Sequence, residues 1–63
     1  MFVKVKQDNK VYYINTVFLC DVVLHEKTVE NILTLSFLGE SYRRLTFETS
    51  EKRHAKLQEL IGE

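Results

Sequence analysis

The chain of 63 residues has no proline and no tryptophan, only two glycines, and a single cysteine. One cysteine, Cys20, cannot close an internal disulfide, and without a Cys/His cluster there is no structural zinc site to staple so small a fold. The core must hold by packing alone. No stretch approaches the ~18 consecutive apolar residues of a membrane span, and Met1 to Lys6 alternates apolar and basic where a secretory leader needs an unbroken apolar run. The expected location is the cytoplasm, away from membranes. An excess of either charge is missing too: nine basic and nine acidic side chains give a formal net charge of zero. That withholds the broad positive field of non-specific nucleic-acid binders and leaves little repulsion between copies. No glycine-rich loop precedes a helix to cradle phosphate. The carboxylates Asp21, Glu26, Glu30 and Glu48 stand singly along the chain, with no pair set up for acid-base work. Neither an enzyme nor a cofactor or metal ion is expected.

What remains is mostly of period two. Val3 and Val5 alternate with Lys4 and Lys6, and Asp8-Asn9 suits a two-residue turn because both types tolerate positive φ. Val11 to Ile14 returns the chain. That hairpin pairs Val5 with Tyr12 and Val3 with Ile14 on a core face, leaving Phe2, Lys4, Lys6, Val11 and Tyr13 on the other. Residues 17 to 24 are apolar at every position except Asp21. With Asp21 outward, strict alternation sends Phe18, Cys20, Val22 and Leu24 inward and Val17, Leu19 and Val23 to the opposite side. Ile32 to Leu38 presents Leu33, Leu35 and Phe37 on one face. Gly39-Glu40-Ser41 turns the chain, and Tyr42 to Glu48 completes a second hairpin, with Arg43 and Arg44 on opposite faces.

The period then changes to 3.6. Ser50 is a candidate N-cap, Glu51 suits the first turn, Leu57, Leu60 and Ile61 form one stripe, and Gly62 is placed to end the helix. Lys52 and Arg53 near the start and Glu59 near the end oppose the helix dipole. Such a helix is expected to form only by docking its apolar stripe on the sheet. Residues 1–63 therefore read as one small α+β domain: a bent antiparallel sheet or SH3-like barrel of four or five strands with one C-terminal helix.

The order of hairpin, central strand, hairpin and C-terminal helix resembles that of small SH3-like barrels, including the archaeal seven-kilodalton DNA-binding proteins. Those are basic and glycine-rich around their second hairpin, where this chain has Gly39 alone, so their DNA-binding role is not carried over. A second likeness covers more of the chain. Tyr13-Ile14-Asn15, Phe18-Leu19, Val22, a short polar turn, Ile32-Leu33-Thr34-Leu35, a glycine-containing turn and a terminal helix together resemble the small flagellar FlbD-like family. That resemblance implies a non-enzymatic accessory or regulatory protein and supplies no catalytic residue. Val17, Cys20, Val23 and Leu24 are apolar where that family tends to be polar.

Three groups of residues qualify as candidate sites. Cys20 and His25 are the only Cys/His pair close in sequence; without a third group brought near, they read as a small core residue and the start of a polar turn. His54 borders the helix stripe. Phe2, Lys4, Lys6 and Tyr13 combine basic and aromatic side chains on one hairpin face, the kind of surface on which bases stack while lysines meet phosphates. The third group is the outer side of the apolar strand. Val17, Leu19 and Val23 exceed what one small domain covers, which points to a homo-oligomer, most simply a dimer. The leading expectation is thus a self-associating protein-interaction module, with nucleic-acid binding through the first hairpin as the alternative.

Overall fold

The computed structural model describes residues 1–62. Five strands and one helix follow in the order β1 (Phe2–Gln7), β2 (Lys10–Asn15), a 3-10 turn (Thr16–Phe18), β3 (Leu19–Leu24), β4 (Asn31–Phe37), β5 (Ser41–Phe47) and α1 (Ser50–Ile61). β1 and β2 form a two-stranded antiparallel sheet, and β3, β4 and β5 form a three-stranded one with β4 in the middle. No barrel closes: the two sheets are separate, and the helix packs mainly on β4 and β5.

The first hairpin follows the alternation of its sequence. Asp8 and Asn9 take φ of 51° and 62°, the pair of left-handed residues that a two-residue turn needs to match the strand twist. Val3 pairs with Ile14 and Val5 with Tyr12. Val3, Val5 and Ile14 then meet Leu33, Leu35, Leu45 and Leu60 in a single core shared by both sheets and the helix. Tyr12 carries the seam outward, with the Arg43 guanidinium 4.0 Å from its ring centre, an arrangement in which the cation lies over the negative face of the ring.

Strand β3 departs from the expected alternation. A bulge lies between Leu19 and Asp21: Leu19 pairs with Phe37 and Asp21 with the adjacent Ser36, so Cys20 is an extra residue. An inserted residue reverses the parity of everything on one side of it. Downstream the register set by Asp21 holds, and Val22 and Leu24 pack on the core. Upstream it inverts: Leu19 packs on the core, whereas Cys20 and Phe18 are exposed.

The helix also differs in detail. Its N-cap is Thr49, whose hydroxyl accepts the Lys52 N–H at 3.1 Å, so Ser50 is the first helical residue. Gly62 ends it in the left-handed region at φ 80°. Leu60 is buried and Leu57 packs at the core margin, but Ile61 is 50% exposed and does not dock. The unfavourable charges find local partners. Lys52 pairs with Glu48 at 3.1 Å and Lys56 with Glu59 at 3.3 Å. Lys56 also donates from Nζ to the Lys4 carbonyl at 2.7 Å, tying the helix to β1.

Candidate interaction surfaces

Two side chains stand where a strand would have joined the sheets. The Gln7 amide donates from Nε2 to the Thr46 carbonyl at 2.9 Å, and its Oε1 accepts the Thr46 N–H at 3.2 Å. This double exchange is what a hydrogen-bonded residue of a neighbouring antiparallel strand makes. Gln7 thus fills one rung between the free edge of β1 and the free edge of β5. Beside it, Lys56 takes the outward carbonyl of Lys4. An open groove of about 920 Å³ follows the gap, lined by β1, the end of β5 and α1, with Val5, Phe47 and Ala55 among its apolar residues. All three bonds span 39 residues or more, and no local sequence signal marks them.

A second surface is apolar. The Thr16 N–H and hydroxyl both donate to the Met1 carbonyl, at 2.9 and 3.0 Å, and the Leu38 N–H donates to the Phe18 carbonyl at 2.9 Å. Those bonds gather the N-terminus, the 3-10 turn and the turn after β4 at one end of the molecule. Met1, Val17, Phe18 and Leu38 are all exposed there, and Phe2 is exposed beside Met1.

The three residues expected to share an interface are therefore split. Val17 belongs to this apolar end, being 70% exposed. Val23 is exposed on the outer face of the three-stranded sheet opposite Thr34. Leu19 is turned into the protein's own core by the bulge and leaves the candidate surface. Phe18, expected inside, takes its place.

On the first hairpin the expected face is intact. Lys4 is directly opposite Tyr13, Lys6 opposite Val11, and Phe2 opposite Asn15, with Phe2, Lys4, Lys6, Val11 and Tyr13 all exposed. Cys20 and His25 are not brought together: four residues of extended strand lie between them, a span of roughly 16 Å, Cys20 is exposed at the bulge, and the His25 ring bonds Thr34 Oγ1 at 2.9 Å. His54 is exposed on the helix. Among the described residues no three His, Cys, Asp or Glu side chains gather closely enough to hold a metal ion. Nor is any helix among them long and apolar enough to cross a membrane. No protein-family model, curated protein or solved structure matches the chain.

Proposed function

We propose that the protein is a non-enzymatic interaction module that self-associates through the apolar end formed by Met1, Val17, Phe18 and Leu38. The observation that carries this reading is that these four large apolar residues, on three segments tied together by backbone hydrogen bonds, are all exposed. Soluble monomers seldom leave such a patch uncovered. No charged side chain is among the four, so an identical patch can face it across a two-fold axis provided the Met1 α-amino group stays in water at its rim.

Light scattering coupled to size exclusion tests this directly. The wild-type chain is expected to run as a dimer at high micromolar concentration. Phe18→Lys should raise the dissociation constant about thirtyfold or more, from the roughly 2 kcal/mol lost at a central apolar anchor. A wild-type chain that stays monomeric throughout that range would remove self-association from the reading.

A second reading rests on the Lys4-Tyr13 pair and its neighbours on the outer face of the first hairpin. Two lysines release few counterions, each contributing somewhat under one unit to the salt slope, so binding to single-stranded oligonucleotides at about 150 mM salt is expected to be weak or absent. Fluorescence anisotropy checks it. Sub-micromolar affinity with a steep salt dependence, lost in Lys4→Glu/Lys6→Glu, would put nucleic-acid binding first.

A further inference from the structure

The free edge of β5 offers a partner surface distinct from the apolar end. Because Thr46 turns both its backbone groups outward to Gln7, the alternation of an antiparallel strand gives Arg44 and Tyr42 the same outward orientation. Among the described residues no side chain takes the outward groups of those two as Gln7 takes those of Thr46. Ser41, Tyr42, Arg43 and Arg44 are all exposed, Tyr42 by 76%. This edge has no proline and no bulge against β4, so it can accept another strand along its length.

Charge selects which strand. Ser41 to Phe47 carries two arginines and no acid. Arg43 is on the core face opposite Leu35, and Arg44 on the outer face opposite Thr34. Neither forms an ion pair among the described residues; Arg43 is held over Tyr12. Two such cations cannot grip a single anion, but two consecutive acidic residues on an added strand also point to opposite faces, and each would meet one arginine. The chain's own β1 offers no acid to these arginines, carrying Lys4 and Lys6, and meets this edge through the Gln7 side chain. We infer that the β5 edge binds an extended, acidic segment of another protein, which adds as a fourth strand next to β5 with two adjacent carboxylates bracketing Arg43 and Arg44. The rung held by Gln7 is exchangeable, since its two hydrogen bonds can pass one for one to an incoming backbone.

The probe is an acetylated and amidated hexapeptide, Thr-Val-Glu-Glu-Val-Thr, titrated into the full chain and followed by amide chemical shifts. Shifts are expected to centre on Tyr42, Arg44 and Thr46. Replacing the two glutamates by lysines should abolish them, and Arg43→Glu/Arg44→Glu should weaken binding at least tenfold. Tyr42→Pro separates strand addition from charge attraction: it removes an outward N–H, keeps both arginines, and spares the ladder to β4. Loss of binding in Tyr42→Pro, with an unchanged thermal transition, is the expected result. Binding that survives Tyr42→Pro, or a peptide N-methylated at alternate residues that binds equally well, would overturn strand addition. The own-chain alternative is β3 of a second copy, whose edge carries Asp21. Concentration-dependent growth beyond a dimer, suppressed by Asp21→Lys, would assign the edge to self-assembly and overturn the acidic partner.

Discussion

Leu60→Ala is expected to lower stability by about 2–5 kcal/mol, the range for removing a buried leucine, whereas Ile61→Ala one residue later should cost less than about 1 kcal/mol. The two leucine-sized residues are neighbours in sequence, yet Leu60 is 5% exposed and Ile61 50%. Leu60 is the helix's contribution to the core that joins Val3, Val5, Ile14, Leu33, Leu35 and Leu45. Domains this small seldom hold more than ~3–5 kcal/mol in reserve, so Leu60→Ala populates the unfolded state at room temperature. Urea titrations followed by circular dichroism distinguish the pair. Equal midpoints for the two variants would mean that the helix is not anchored through Leu60.

Val5→Asp should be more severe still. Val5 is 1% exposed, and a carboxylate there would stand among the apolar side chains of the core and out of water, a penalty of several kcal/mol. The expected result is collapse of the whole domain rather than release of the first hairpin, because the two sheets share one core and neither has another. Lys6→Asp, on the outward face next to it, should change stability by no more than about 0.5 kcal/mol. Amide spectra give the measurement. In Val5→Asp the resonances of Leu33, Leu35 and Leu45 should lose dispersion together with those of β1 and β2. A dispersed three-stranded sheet beside a disordered hairpin would establish that the sheets fold separately.

How far the fold could be read from the sequence depended on how local its causes are. The Asp8-Asn9 turn, the pairing of Val3 with Ile14, and the faces of β4 follow from neighbours within a few residues, and each is present as the alternation implies. The helix was legible for the same reason, with its cap displaced from Ser50 to Thr49. Residues 17 to 24 were not. A run apolar on both sides of Asp21 contains nothing that marks where alternation slips, so Leu19 and Cys20 exchange roles without a local sign. The candidate surfaces were harder again. Gln7 with Thr46, Lys56 with Lys4, and the meeting of Met1 with Thr16 are set by how separate segments pack. Val17 could be picked out as unburied apolar surface, but its companions Phe18 and Leu38 required the turns to be placed in space.

The bulge at Cys20 bears on how the gene can change length. Removing one codon from a strand ordinarily turns half its side chains inside out. Here the pairs on either side of Cys20 are Leu19 with Phe37 and Asp21 with Ser36, consecutive positions on β4. Excising Cys20 would leave an uninterrupted ladder, with Leu19, Val22 and Leu24 still facing the core. β3 thus contains a site where a single-residue deletion is nearly silent, beside β4, where the same event would expose Leu33 or Leu35.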